Sequence, residues 1–116
     1  MGARIRMADP IQEVLVALRQ FRDERDWAQF HNAKDLALAL GVEAGELNEQ
    51  FLWKAAAEAN PARVKEELAD VLLYAFQLAD YYGWDIRALM LEKMARNAEK
   101  YPVSKARGNA TKYDAR

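Results

Sequence analysis

Two pairs of acidic residues constrain the fold of this chain more than any other feature. In Glu43 and Glu46, and again in Glu67 and Asp70, two carboxylates stand three residues apart. A three-residue step in an α-helix turns through about 300°, so each pair projects from one side of its helix and can grip one cation. Two such helices side by side would bring the carboxylates together, where repulsion and desolvation are unfavourable without a metal. The sequence therefore predicts adjacent helices that share a cation site.

The first acidic pair borders an apolar stripe instead of lying opposite it. In the helix predicted over residues 33–57, this stripe is formed by Leu36, Leu40, Leu47 and Phe51. With Glu43 at zero on a helical wheel, the stripe spans about 20° to 80° and Glu46 lies at about 300°. A single Glu-x-x-Glu pair is common on solvated helices, where it would lie with Asn48 on the far side. The position beside the stripe therefore supports a cation site more strongly than the spacing does.

Helix signals along the rest of the chain predict an all-α, four-helix bundle-like fold. The predicted starts and stops are Asp9–Pro10 and Arg25 for the first helix, residues 33–57 for the second, Asn60–Pro61 and Gly83 for the third, and Asp85 and Pro102 for the fourth. No alternating strand pattern is present. We interpret residues 1–8 as a flexible leader, residues 9–102 as one helical domain and residues 103–116 as a solvated basic tail.

Two local features each allow two interpretations. Gly41 and Gly45 weaken the second predicted helix by about 1 kcal/mol each relative to alanine, and they either permit close approach of a neighbour or are tolerated defects. The aromatic residues of residues 26–32 form either a hydrophobic plug over the bundle end or a ligand-contacting loop.

The third predicted helix indicates a homo-oligomer. Leu73 and Phe76 extend its apolar surface well past a single stripe. A short chain has few elements to cover such a helix, so a second subunit is expected, as a dimer or a tetramer. A satellite contact within the chain is the alternative.

Composition excludes several classes of function. With 116 residues, the chain is long enough for one modest core. A net charge of -1 argues against a uniformly basic nucleic-acid surface. The absence of cysteine excludes disulfides and thiolate metal sites, and it fits a cytoplasmic protein. No apolar run approaches the length that crosses a bilayer, so no membrane partner is expected.

The residue types favour Mg²⁺, with Mn²⁺ as an alternative. Clustered carboxylates suit a hard cation, there is no thiol, and the only imidazole is that of His31. The Glu-x-x-His repeats of di-iron bundles are absent. Because Mg²⁺ often joins protein carboxylates to substrate phosphates, a phosphate ester or anhydride is the expected ligand. Lys93, Arg96 and Lys100 could neutralise those phosphates.

Beyond the acidic pairs, an ordered set of residues resembles the all-α nucleotide pyrophosphohydrolases of the MazG-like superfamily, and its dCTP pyrophosphatase branch most closely. The set comprises Glu24-Arg25-Asp26-Trp27, Phe30-His31, residues 38–47, Trp53-Lys54, Glu66-Glu67-Leu68, Lys93-Met94, Asn97 and Lys100-Tyr101-Pro102-Val103. The resemblance covers nearly the whole chain from the first predicted helix to Tyr113.

The resemblance implies Mg²⁺-assisted hydrolysis of a nucleoside triphosphate to the monophosphate and pyrophosphate, favouring dCTP or modified deoxycytidine triphosphates. It implies a site whose metal ligands and catalytic acids are Glu43, Glu46, Glu67 and Asp70. It also implies substrate contacts from Trp27, His31, Trp53, Tyr74, Lys93, Asn97 and Tyr101, with the tryptophans against the base and Tyr74 at the sugar.

The sequence departs from the resemblance at two positions. Val42 stands where broader versions of the signature carry an additional glutamate, and Leu18 aligns with a histidine of the animal dCTP enzymes. The second departure leaves the base preference open. Two alternatives also remain open: a catalytically inactive helical oligomerisation or regulatory module of the same fold, and a phosphoribosyl-ATP pyrophosphohydrolase-like enzyme.

Overall fold

The computed structural model describes residues 9–108, and the secondary structure in this range is helical. Its helices are α1 (Pro10–Glu24), α2 (Ala33–Glu49), α3 (Pro61–Tyr82), α4 (Ile86–Lys100) and α5 (Val103–Ala106), with 3-10 turns at Ala28–Phe30 and Ala56–Glu58. No strand occurs between residues 9 and 108, so the predicted all-α class is confirmed. Within the same range, no helix combines the length and the apolar character that crossing a membrane requires.

Local capping explains why the helices begin near the predicted residues. The Asp9 carboxylate accepts a hydrogen bond from the Ile11 amide at 2.8 Å, and Pro10 occupies the first turn of α1. Asn60 caps α3 in the same way, and Asp85 caps α4 through the Ala88 amide. Each cap satisfies an amide that the helix itself leaves unpaired.

The second helix is shorter than predicted, since α2 ends at Glu49 and the prediction extended it to residue 57. The amides of Gln50 and Phe51 bond to carbonyls three residues back, which tightens the end of the helix. Trp53 then has a φ of 62°, a left-handed conformation that an α-helix cannot contain. The apolar stripe includes Phe51, beyond the observed end of α2, and hydrophobic periodicity alone does not indicate where the backbone reverses.

The chain divides into two compact units at the bond between Trp84 and Asp85. In the first unit, α2 packs along α3, and α1 also contacts α3. The buried apolar side chains of this unit are small in number: Leu15, Leu36, Ala59 and Ala79. The second unit contains α4 and α5, and there Ile86 is buried.

The ends of the chain were predicted as a leader and a tail. The leader, residues 1–8, and residues 109–116 of the tail lie outside the described residues. In the described part of the tail, Val103–Ala106 forms one short helix directly after Pro102. Pro102 supplies a fixed φ at the residue that precedes the helix.

Gly41 and Gly45 lie in α2 with open space around them. A Cβ added to either glycine would have no heavy atom within 4 Å. Within residues 9–108, no helix therefore approaches closely at these positions, which favours the tolerated-defect interpretation for the single chain.

Replacing Gly41 by alanine is expected to raise the free energy of unfolding by about 0.5–1 kcal/mol, because alanine loses less backbone entropy in a helix. Urea denaturation measures the change. Ala37→Gly, at an exposed position of the same helix, should lower the free energy by a similar amount. A destabilised Gly41→Ala protein would contradict the open environment and indicate that another chain packs against this face.

Candidate metal centre and adjoining cavity

Three of the predicted acidic residues come together where α2 packs along α3. One carboxylate oxygen from each of Glu43, Glu46 and Glu67 lies within 4.8 Å of the other two. Glu43 and Glu46 project from α2 one turn apart, and Glu67 projects from α3. The structure therefore places oxygens from two helices close enough to share one small cation.

Two oxygens of this cluster are buried without a hydrogen-bond donor: Oε2 of Glu43 and Oε2 of Glu67. The Glu67 side chain is only 12% exposed, and Nη2 of the Arg63 guanidinium lies 3.9 Å from its Oε1. Burying a carboxylate oxygen without a partner is unfavourable. A bound divalent cation would satisfy both oxygens, so the residues fit a metal site.

Hydrogen bonding, burial and mutual repulsion raise the pKa of two of these acids. The pKa of Glu46 is raised chiefly by a hydrogen bond and a charge interaction with Glu43. The pKa of Glu67 is raised by burial first and then by the negative charges of Glu46 and Asp70. Without a cation the cluster therefore resists full ionisation, and a cation would reverse this effect.

Asp70, the fourth predicted acid, is not part of the group of three. It lies one turn after Glu67 on α3 and is exposed, yet it is near enough to raise the pKa of Glu67. Asp70 also lines the neighbouring cavity. It therefore stands between the carboxylate cluster and that cavity.

The cavity has a volume of about 390 Å³ and lies between α1, the turn after it and α3. Its walls are formed by Val14, Ala17, Leu18, Phe21, Arg22, Trp27, His31, Asp70, Leu73, Tyr74 and Gln77. A mostly apolar pocket of this size with a few polar groups is typical of small-molecule sites. Three predicted substrate-binding residues, Trp27, His31 and Tyr74, line it together with Asp70.

Local structure after α1 turns Trp27 towards the cavity. Asp26 has a φ of 54°, and the Trp27 amide donates to the Arg22 carbonyl at 3.0 Å, so the chain reverses sharply. The Trp27 ring meets the Phe21 ring edge-to-face at 5.8 Å between centroids. The interpretation of this segment as a ligand-contacting loop is therefore favoured over a simple plug.

His31 follows the 3-10 turn and has a lowered pKa. Burial is the main cause, and the positive charge of Arg22 adds to it. His31 is therefore neutral at pH 7, and its ring can donate through one nitrogen and accept through the other.

Trp53, another predicted substrate residue, does not line this cavity. Trp53 is 98% exposed in the loop after α2. Lys93, Asn97 and Tyr101 belong to the second unit, where Lys93 and Asn97 are exposed on α4 and the Tyr101 amide donates to the Asn97 carbonyl at 2.8 Å. Their roles stay predictions.

The sequence analysis missed Arg22, Gln77 and Asp80. Arg22 and Gln77 line the cavity, and Asp80 pairs with Arg19 at 2.6 Å and with Arg22 at 3.8 Å. For Gln77 a signal existed, because it follows Asp70 by seven residues and therefore lies on the same face of α3. The pairing of Asp80 with α1 spans 61 residues and has no local signal.

Fold and site define an all-α protein whose packed helices carry a carboxylate cluster beside a largely apolar cavity. The chain belongs to the MazG-like family, whose model matches residues 38–115. This confirms the resemblance drawn from the sequence.

Proteins similar to this chain in sequence or in fold are named pyrophosphatases. The chain is 44% identical over 102 residues to dCTP pyrophosphatase 1 of Rattus norvegicus, covering 81% of this chain and 60% of that protein. The identity to dCTP pyrophosphatase 1 of Homo sapiens is 42% with the same coverage. A crystal structure of a pyrophosphatase from Archaeoglobus fulgidus superposes with a TM-score of 0.77 at 35% identity, covering 83% of this chain and 95% of that one. The chain thus spans about three-fifths of the length of the curated relatives it matches.

Proposed function

We propose that this chain is a Mg²⁺-dependent nucleoside triphosphate pyrophosphohydrolase that favours dCTP or a modified deoxycytidine triphosphate. The observation that carries the proposal is the carboxylate cluster with two unpartnered buried oxygens, joined through Asp70 to a cavity lined by Trp27 and Tyr74. The names of the curated relatives and of the archaeal structure support the same reaction.

In this proposal Glu43, Glu46 and Glu67 hold the cation, with Asp70 beside them. Bound Mg²⁺ would neutralise the phosphates and favour attack by water. One glutamate of the cluster accepts the proton of the attacking water. The new bond joins the water oxygen to phosphorus, and the bond to the leaving pyrophosphate breaks.

The cavity supplies the contacts to the nucleoside. The Trp27 face holds a planar base by stacking, and Tyr74, one turn after Asp70, contacts the sugar. His31, which lines the same cavity, is proposed as a further substrate contact. Lys93, Asn97 and Tyr101 are proposed to contact phosphate or base. Trp53, which is exposed in the loop after α2, is also proposed to contact the base.

A panel of nucleoside triphosphates with Mg²⁺ tests the proposal by release of pyrophosphate. We expect turnover with deoxycytidine triphosphates and none in EDTA. Absence of turnover with any triphosphate would overturn the enzyme proposal and favour an inactive module. Turnover of phosphoribosyl-ATP alone would support the proposed reaction and contradict the proposed substrate.

We also propose that the protein is a homo-oligomer. Large apolar side chains that do not line the proposed nucleoside cavity are exposed on α1 and α3: Val16, Leu68, Leu72, Tyr81 and Tyr82. Large apolar side chains exposed in this number favour an interface. Self-association would cover it without another protein.

Light scattering is expected to give two or four times the chain mass of 13.3 kDa. Leu72→Glu, which places a charge within the apolar surface of α3, should shift the protein towards smaller species. Lys65→Glu, at an exposed polar position of the same helix, serves as the control. A strict monomer at all concentrations would contradict the proposed interface.

A further inference from the structure

The end of the cavity farthest from the carboxylates is polar, although its other walls are apolar. Asp70, Tyr74 and Gln77 line the cavity from one face of α3. At 1.5 Å per residue, Gln77 lies about 10 Å along the helix from Asp70. A nucleotide whose phosphates lie at the acidic end would extend its base towards Gln77.

Three polar side chains form this far wall, namely Gln77, Arg22 and His31. The same three residues also line a second cavity of about 290 Å³, so they form the partition between the two spaces. The amide of Gln77 both donates and accepts hydrogen bonds, and the guanidinium of Arg22 only donates. Leu18, also on α1, adds no polar group to the cavity.

Arg22 is held in place by acidic residues. Its Nε donates to Asp23 at 2.8 Å, and its Nη1 lies 3.8 Å from Oδ2 of Asp80. Asp80 is itself fixed by Arg19, whose Nε lies 3.1 Å from both carboxylate oxygens. The Asp80 side chain is only 17% exposed. The guanidinium is therefore held at the cavity wall by two carboxylates, one near Nε and one near Nη1.

From these contacts we infer that Gln77 and Arg22 are specificity-determining residues that hydrogen-bond the edge of a pyrimidine base, and that Asp80 is a positioning residue for Arg22. The inference rests on the proposed function, because it needs a nucleotide in the cavity. A wall built to hydrogen-bond its ligand rejects an analogue that lacks those groups, since the polar groups of the wall are then left unpaired.

The test compares two substrates in each protein: the preferred pyrimidine deoxynucleoside triphosphate and one whose base is an apolar isostere of a pyrimidine. The wild-type protein should prefer the natural base in kcat/KM by roughly tenfold or more. In Gln77→Leu this preference should fall to within about threefold. The ratio cancels effects on phosphate handling and on the amount of folded protein. Gln12→Leu, at an exposed position of α1 outside the cavity, should keep the wild-type ratio.

The positioning role of Asp80 is tested by measuring KM and kcat separately. Asp80→Asn should raise the KM of the natural pyrimidine triphosphate more than it lowers kcat, and it should reduce the preference over the isostere. Asp80→Glu, which retains the charge, should restore most of the preference. A merely structural role would change both substrates equally.

The outcomes separate this inference from the proposed function. Turnover by the wild-type protein with an unchanged preference in Gln77→Leu would overturn the role of Gln77 and leave the proposed function intact. Absence of both turnover and nucleotide binding by the wild-type protein would overturn both. Thermal unfolding of each variant checks that it is folded, and Gln77→Met replaces Gln77→Leu if that variant does not fold.

Discussion

Glu67→Gln is expected to reduce Mg²⁺-dependent pyrophosphate release by about two orders of magnitude or more while the protein stays folded. Glu67 contributes the α3 oxygen of the cluster, and its Oε2 is buried without a donor. Glutamine keeps the size of the side chain and removes the charge that would hold the cation. Pyrophosphate release at saturating triphosphate measures the loss, and circular dichroism measures the helix content.

Glu92→Gln is the matched control, because Glu92 is an exposed glutamate on α4 and lies outside the cluster. It should retain nearly full turnover. Glu46→Gln should behave like Glu67→Gln, since both residues belong to the group of three. Full Mg²⁺-dependent activity in either cluster variant would show that the carboxylates are structural.

Asp70→Asn resolves a question that the geometry raises. Asp70 stands apart from the group of three and lines the cavity. If Asp70 serves as a ligand when substrate is bound, Asp70→Asn should lose turnover to the same extent as Glu67→Gln. An effect confined to KM would place Asp70 at the substrate and outside the metal site.

Local rules explain most of what the sequence predicted about the fold. Asp9, Asn60 and Asp85 cap helices through bonds of two or three residues in span, so the starts of α1, α3 and α4 could be predicted. The end of α2 could not, because it depends on the left-handed backbone at Trp53, a residue that rarely adopts this conformation.

The same distinction applies to the candidate site: the spacing within one helix could be predicted, and the contacts between helices could not. The three-residue period brought Glu43 and Glu46 to one side of α2, and the packing of α2 on α3 added Glu67. Whether Asp70 joins them depends on the rotation of α3 about its axis, which periodicity does not fix. The contact between Asp80 and Arg22 joins residues distant in sequence, so only the folded chain reveals it.

The carboxylate cluster should also make stability depend on both Mg²⁺ and pH. In the folded chain the pKa of Glu46 and of Glu67 lies above the ordinary value of 4.5. Without metal, the contribution of these groups to stability is fully present below the unfolded-state pKa and is lost as the pH rises through the folded-state pKa. The metal-free protein should therefore lose this stabilisation as the pH rises above 4.5.

Mg²⁺ should act in the opposite direction, because it binds the ionised carboxylates and competes with their protons. At neutral pH and 100 times its Kd, Mg²⁺ is expected to raise Tm by roughly 10 °C, and the rise should be smaller at pH 5. Thermal unfolding at the two pH values, with Mg²⁺ or with EDTA, measures the difference without any substrate.

Glu46→Gln supplies the decisive comparison for this linkage. Removing one repelling charge should raise the Tm of the metal-free protein at neutral pH and should abolish most of the rise with Mg²⁺. Glu92→Gln should keep the wild-type response. A Mg²⁺ effect that is equal at both pH values, or that survives in Glu46→Gln, would mean that the cation binds elsewhere and that the cluster does not hold it.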